Sequence, residues 1–319
     1  MFEVNRNKRW HALRNAAAGL CLVAVIALLG TAATGFAAGK KQETFATPEQ
    51  AVDALMAANR SGDKAELLRI LGPKGEKLMS SGDPVADKEG RGKFLAAYEN
   101  AHTLESQGSD KVILIVGARK WPLPIPLVRQ DGAWRFDTAA GEQEIVDRRI
   151  GRNEMNVIEV CRAYVVAQRE YAEQHRLADG RREYAQRFLS HAGKQDGLYW
   201  PVAAGEQESP LGPFIASAQA EGYEAKAHVL HRPYHGYFYR ILTGQSEKAP
   251  GGAINYLSGG RMTRGFALLA FPAQYGDSGI MTFIVSQDGI VHEKDFGPDT
   301  AKQALRIKQY NPDESWKLP

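Results

Sequence analysis

The sequence predicts an α+β protein with two small domains, each made of helices packed on an antiparallel sheet, and a helical connector between them. Three observations carry this prediction. Apolar residues recur at helical spacing after Thr47, an Asp-Gly pair separates two apolar runs, and further apolar runs of strand length lie in the last third of the chain. Helices followed by antiparallel strands indicate an α+β unit. We therefore predict domains at residues 39–140 and 141–319, after an N-terminal segment at residues 1–38.

The first domain begins with a helix signal and ends with a hairpin signal. Thr47 is an N-cap candidate followed by Pro48, and a second helix, KAELLRIL, begins after a Ser-Gly-Asp break. SSGDPVADKEGRGK, residues 80–93, is polar and glycine-rich, so we interpret it as a loop before a short helix, FLAAYENAH. KVILIVGA then predicts a strand, and Asp131-Gly132 predicts the turn of a hairpin.

The second domain begins with the connector. Apolar residues progress by threes and fours over residues 139–175, which predicts a helix, and a break near Gly151 stays open. A short helix is expected near residues 213–221. The runs YHGYFYRIL, GFALLAFPA, GIMTFIVS and IVHEKDFG then predict three or four strands of an antiparallel sheet packed on a helix.

The stretch PYHGYFYRILTGQ is rich in aromatic residues and raises the question of a site. Alternation places rings on both faces of the predicted strand, which is typical of an interior strand covered on each side. We therefore expect Phe238 to be buried against the helix that carries Cys161 and Tyr164. A binding surface stays open as the alternative, because tyrosine hydroxyls at a rim can face a ligand. The candidate residues of that surface are His231, His235, Tyr237, Tyr239 and Ser278.

Three histidines within eight residues are candidate metal ligands. His231 and His235 are separated by an even number and share a face of a strand, whereas His228 lies on the opposite face. No carboxylate lies between Glu224 and Glu247 to orient an imidazole. We therefore predict that the protein holds no metal and no cofactor.

The tetrapeptide Gly276-Asp277-Ser278-Gly279 resembles the nucleophile loop of chymotrypsin-like proteases. Ile280 stands where a second glycine is usual, and no alanine-histidine-cysteine segment lies upstream. Glycines with Asp and Ser between apolar strands are ordinary turn residues. We interpret the tetrapeptide as a turn and assign no catalytic residue.

The N-terminal segment has the pattern of a secretory signal peptide. A cationic start is followed by the apolar run AAAGLCLVAVIALLG and by small residues, so we place the cleavage after Ala37 or Ala38. An uncleaved membrane anchor stays open, because the run approaches the roughly 20 residues that span a bilayer. The chain is thus expected in the periplasm or secreted, with membrane contact only through an uncleaved segment.

The charge balance of the mature chain excludes one class of partner. The full chain has 40 Lys and Arg and 37 Asp and Glu, and residues 1–38 contain four basic residues and one acidic residue. Cleavage therefore leaves 36 of each sign. A neutral chain lacks the positive surface that nucleic acid requires, so we predict no nucleic-acid partner.

Several segments together resemble a known family. NEMNVIEVCRAYVVAQREYA, GEQESPLGPF, PYHGYFYRILTGQ, GFALLAFPAQYGDSGIMTFIVSQDGIVHEKDFG and YNPDESW are similar to the bacterial secreted family known as domain of unknown function 2950. The resemblance implies an exported bacterial protein and supplies no catalytic residues. By pattern alone, residues 45–140 also resemble a nuclear-transport-factor-2-like cone, which implies a cavity between sheet and helices. The second half loosely resembles a pilin head.

These observations favour a non-enzymatic interaction or scaffold module of the bacterial envelope, with an envelope protein as the possible partner. The alternative is a periplasmic hydrolase that uses a cleft lined by residues after position 228. Convergence of a histidine, Ser278 and a carboxylate in one pocket would favour the hydrolase.

We predict that the mature protein starts near Ala38 or Gly39, because small residues end the apolar run there. N-terminal sequencing of the protein recovered from the periplasm checks this. Recovery of a chain that starts at Met1 in the membrane fraction would contradict it.

Overall fold

A computed structural model describes residues 42–203, 205–223 and 232–319. The predicted signal peptide, its cleavage site at Ala37 or Ala38, and both His228 and His231 lie outside these residues. The chain after Gly39 forms one compact unit that contains two separate large hydrophobic cores. The α+β class is confirmed, while the division into two domains stays a prediction.

Several helices and strands of the described residues lie where the sequence predicts them, and others, such as the short strands between residues 244 and 262, were not predicted. The helices are α1 (Pro48–Ser61), α2 (Lys64–Leu71), α3 (Glu76–Met79), α4 (Pro84–Asn100), α5 (Thr138–Gln174), α6 (Gly212–Ala220) and α7 (Thr300–Arg306). The strands are β1 (His102–Ser106), β2 (Lys111–Val116), β3 (Trp121–Pro122), β4 (Leu127–Gln130), β5 (Ala133–Phe136), β6 (Tyr237–Leu242), β7 (Gly244–Gln245), β8 (Ile254–Asn255), β9 (Leu257–Ser258), β10 (Arg261–Met262), β11 (Ala267–Pro272), β12 (Met281–Ser286) and β13 (Val291–Asp295). No helix within the described ranges is both long and apolar enough to span a bilayer.

The first core lies between an antiparallel sheet and helices α1, α2 and α4. The sheet has the order β1-β2-β4-β5, and β3 pairs with β2. The predicted hairpin is confirmed, since Gln130 pairs with Ala133 across a turn in which Asp131 and Gly132 have φ of 53° and 79°. Positive φ at both central residues defines the turn that matches strand twist, which explains the Asp-Gly pair.

Helix α4 corrects the interpretation of residues 80–93 as a loop. Asp83 is the N-cap, because its Oδ1 accepts hydrogen bonds from the backbone N–H groups of Val85 and Ala86, both at 3.1 Å. Pro84 occupies the first helical position, where its missing N–H costs nothing. These two start signals outweigh the glycines and charges that follow, so the predicted loop and short helix form one helix of 17 residues.

Helix α5 contributes to both cores. It is a continuous helix of 37 residues, so the predicted helix is confirmed and no break occurs at Gly151. Its first residue, Thr138, donates a hydrogen bond from Oγ1 to the carbonyl of Leu71 at 2.7 Å. Its C-terminal half packs Val157 and Tyr164 into the second core. The two cores are therefore joined by a rigid element.

The second core surrounds a sheet of order β13-β12-β11-β6, and the predicted antiparallel sheet of four strands is confirmed. Four successive residues of β11, Ala267 to Ala270, are fully buried, so both faces of the sheet are covered. Helix α5 contacts β11, β12 and β13, and α7 contacts β11. On β6, the Arg240 guanidinium donates hydrogen bonds to the carbonyl oxygens of Ala304 and Ile307 at the end of α7.

The expectation for Phe238 is wrong. Its side chain is only partly buried, and its ring is tilted by 42° against that of Phe271, with centroids 5.6 Å apart. Strand alternation explains the difference, because Tyr237 and Tyr239 take the opposite face. Tyr237 is fully buried, and Tyr239 lines a small cavity together with Tyr164 of α5.

We expect Phe283→Ala to lower the free energy of unfolding by about 3–5 kcal/mol, because its fully buried ring would leave a cavity. Phe238→Ala removes the same atoms from a partly exposed position on the same sheet and serves as the matched control, with a smaller loss. Chemical denaturation of both variants measures the difference. Equal losses would contradict this assignment of faces.

Candidate functional site

The predicted site residue His235 lies in a tight turn between Tyr234 and Tyr237. The N–H of Tyr234 donates to the carbonyl of Tyr237 at 2.9 Å, and the reverse bond is 3.1 Å. His235 and Gly236 have φ of 49° and 76°, so this is another two-residue turn with positive φ at both central positions. The residues before β6 are therefore a hairpin turn, and the strand begins at Tyr237.

Asp83 binds this turn from the other half of the chain. Its Oδ2 accepts hydrogen bonds from the Tyr223 hydroxyl at 2.9 Å and from the Gly236 N–H at 3.0 Å, while its Oδ1 caps α4. The residue is only 1% exposed. A buried carboxylate is costly unless it is hydrogen-bonded, and Asp83 accepts four such bonds. It therefore joins α4 to the His235-Gly236 turn.

The His235 imidazole faces a carboxyl group. Its Nε2 lies 3.6 Å from Oε2 of Glu221, and its ring centroid lies 4.1 Å from that of Tyr234. Burial lowers the pKa of His235 below its ordinary value, and burial raises the pKa of Glu221. Desolvation thus disfavours both charges. The lowered pKa of His235 favours the neutral imidazole.

Ser278 is fully buried, and its hydroxyl takes part in a turn. Its Oγ accepts a hydrogen bond from the Gln274 N–H at 2.9 Å and donates one to the Gln274 carbonyl at 3.1 Å. The carbonyl of Ser278 accepts a bond from Nδ2 of Asn153 on α5 at 2.9 Å. The hydroxyl therefore has a structural role in this turn.

Asp277 also forms a structural contact. Its Oδ1 lies 2.5 Å from Nη1 of Arg149, and the same guanidinium donates to the carbonyl oxygens of Lys77 and Leu78. Desolvation raises the pKa of Asp277, and this effect exceeds the opposing attraction of Arg149. The ion pair holds the turn of Ser278 against the helices of the first core.

Tyr237 and Tyr239 have different environments. The Tyr237 hydroxyl donates to the carbonyl of Met281 at 3.0 Å and packs on Gly279, where a Cβ atom would lie 2.0 Å from that hydroxyl oxygen. Only glycine fits such an approach. The Tyr239 hydroxyl donates to the carbonyl of Tyr234 at 3.3 Å, beside a small apolar cavity of about 60 Å³.

The structure thus brings His235, Tyr237 and Ser278 into one region, with Tyr239 on the same strand. Tyr237 and Ser278 are buried and would reach a partner only after a rearrangement. His231 lies outside the described residues. A binding surface formed by these residues stays a prediction. Within the described chain, no group of three or more His, Cys, Asp or Glu could hold a metal ion, and the absence of a metal also stays a prediction.

A second candidate site lies in the first core. A cavity of about 390 Å³ is bounded by helices α1 to α5 and the residues around β3. Leucines and isoleucines of the core line part of it, and basic residues, among them Arg91, Arg148 and Arg152, also belong to the lining. The cone-like pattern implied a cavity here, but these arginines were missed. The segment DRRIGRN, with Arg148 and Arg152 one helical turn apart next to Ile145, is the signal that could have found them.

A comparison with protein families shows which family the chain belongs to. The family model described as "Protein of unknown function (DUF2950)" matches residues 42–318. The chain belongs to this family. The match covers nearly the whole predicted mature chain, so both cores and both candidate sites are parts of the DUF2950 region. No curated protein and no solved structure gives a significant match.

We expect Asp83→Ala to lower the free energy of unfolding by about 3–5 kcal/mol, because it removes a helix cap and the buried acceptor of the Gly236 N–H. Asp63→Ala is the matched control. Asp63 caps α2 with the same two-bond geometry but is exposed, so its loss is about 0.5–2 kcal/mol. Denaturant titration of both variants measures the difference, and equal losses would contradict a role for Asp83 beyond capping.

Proposed function

We propose that this member of the DUF2950 family is an exported protein of the bacterial envelope that acts by binding rather than by catalysis. One observation carries the proposal. The hydroxyl of Ser278, the residue that a serine hydrolase would use as nucleophile, is buried and bonded in both directions to Gln274. A nucleophile needs a hydrogen bond to a general base. The polar groups of this turn instead stabilise the fold.

Two sequence features support the location. A cationic start, an apolar run and small residues precede the family region, which is the order of a secretory signal peptide. The predicted mature chain is close to neutral, so electrostatic attraction to nucleic acid is weak. An envelope protein is therefore the kind of partner that we propose.

The hydrolase alternative has one supporting observation. Burial lowers the pKa of His235, whose Nε2 lies 3.6 Å from Oε2 of Glu221, and a neutral imidazole is able to accept a proton. Within the described residues, however, no hydrogen bond joins this imidazole to a hydroxyl that could act as nucleophile. The Oε2 atom of Glu221 is buried without a hydrogen-bond partner among the same residues. These contacts support the binding hypothesis more than the hydrolase.

In-cell cross-linking of the tagged protein, followed by recovery from envelope extract, tests the proposal. We expect the wild type and Ser278→Ala to recover the same partner, because the Ser278 hydroxyl contributes to the turn and not to chemistry. Neither protein should hydrolyse ester, peptide or glycan substrates. Ser209→Ala, which removes another buried hydroxyl of the second half, is the matched control.

Two results would contradict the proposal. The first is hydrolysis by the wild type that Ser278→Ala or His235→Asn abolishes while the unfolding midpoint is unchanged. That result would identify a hydrolase. The second is recovery of no partner above the level of an untagged strain. His235→Asn suits this test because asparagine tolerates the positive φ of this turn.

A further inference from the structure

The cavity of the first core has the size of a small-molecule site. Its volume of about 390 Å³ falls within the range of roughly 300–1,000 Å³ that ligand pockets occupy. Residues of helices α1 to α5 form most of its wall, and Ser81 and the residues around β3 complete it. A preformed cavity in a rigid frame can bind a ligand with little loss of conformational entropy.

Much of the lining is apolar, and several of its apolar side chains are only partly buried. Core residues such as Leu55 and Leu67 are buried on the inner side. Five further apolar side chains line the cavity and are only partly buried: Leu78, Met79, Phe94, Trp121 and Ile145. Covering apolar surface that remains exposed inside a concave site is favourable, because it removes that surface from water. The cavity therefore favours an apolar group.

The polar part of the lining is strongly basic. Lys64, Arg91 and Arg152 line the cavity and form no ion pair with any described residue. Arg148 pairs with Glu144 and lies over the Trp121 ring at 5.4 Å.

The two remaining charged side chains of the lining already have partners within the protein. Arg149 pairs with Asp277. Asp87 is the carboxylate of the lining, and it accepts hydrogen bonds from the N–H and hydroxyl of Ser81. Three uncompensated cations beside one hydrogen-bonded carboxylate attract an anion.

We propose that this cavity binds a free, single-chain amphiphile with an anionic head group, of which an alkyl carboxylate is the simplest form. The alkyl chain contacts Leu78, Phe94 and Ile145 inside the cavity. The head group pairs with Arg91 of α4 and Arg152 of α5, since a guanidinium forms paired hydrogen bonds with a carboxylate. This assignment goes beyond the proposed function, because an envelope partner protein does not require a bound amphiphile.

Calorimetric titration of the purified full chain with decanoate, below the concentration at which decanoate forms micelles, tests the proposal. We expect saturable binding at one site. Decanol, which has the same chain without the charge, and decyltrimethylammonium, which has the opposite charge, should bind at least about tenfold more weakly. Trp121 lies in the lining, so decanoate should also change the tryptophan fluorescence.

Two double variants distinguish the loss of the head-group contacts from the loss of positive charge elsewhere on the same helices. Arg91→Gln with Arg152→Gln should weaken decanoate about tenfold and leave decanol unchanged. Lys88→Gln with Arg162→Gln removes the same two charges from exposed positions of the same helices outside the cavity, and it should bind decanoate as the wild type does.

A further pair tests the cavity itself. Ala86→Phe places a ring in the cavity and should abolish decanoate binding, whereas Ala57→Phe adds the same ring at an exposed position of α1. Unfolding curves establish that each variant is folded, and a folded Ala86→Phe protein that still binds decanoate would overturn the proposal.

Three other results would also overturn the proposal. They are the absence of saturable decanoate binding, equal weakening by the two double variants, and binding to phosphatidylglycerol vesicles without binding of free decanoate. The last result would indicate a lipid surface as the ligand. None of them bears on recovery of an envelope partner, so failure here is distinguishable from failure of the proposed function.

Discussion

The buried carboxylate of Asp83 is the interaction on which the arrangement of the two halves depends. One oxygen fixes the start of α4, and the other holds the Tyr223 hydroxyl and the Gly236 N–H. Because a charge in the interior is tolerated only with such partners, α4 and the turn before β6 must stay together. Two further contacts between the halves are the Arg149–Asp277 ion pair and the Asn153 bond to the Ser278 carbonyl. Together these contacts hold the His235-Gly236 turn and the Ser278 turn against α4 and α5.

Helix α5 supplies residues to several of these contacts and to both cores. Its N-terminal part supplies Arg148, Arg149 and Arg152 to the cavity, and its C-terminal part packs Tyr164 in the second core. Arg149 and Asn153 border the cavity and also bind the turn of Ser278. The same stretch of helix therefore serves the proposed ligand site and the candidate hydrolase residues. The polar residues of the GDSG turn therefore have structural contacts.

Local features were predictable from the sequence, and distant ones were not. The Asp131-Gly132 hairpin and the strands after residue 236 follow from turn residues and alternation, which act over a few positions. The start of α4 was missed because two glycines obscured the cap at Asp83. The face of Phe238 could not be known, since it depends on where α5 lies. The bond between Asp83 and Gly236 spans 153 positions, and no short pattern contains it.

Cys161 illustrates what burial in the second core means for reactivity. It is fully buried on α5, and desolvation raises the pKa of its thiol to about 12. Near neutral pH the group is therefore almost entirely the unreactive thiol. Oxidants and alkylating reagents meet an inert group while the core is closed. The rate at which this sulfur becomes modified therefore measures how often the core around α5 opens.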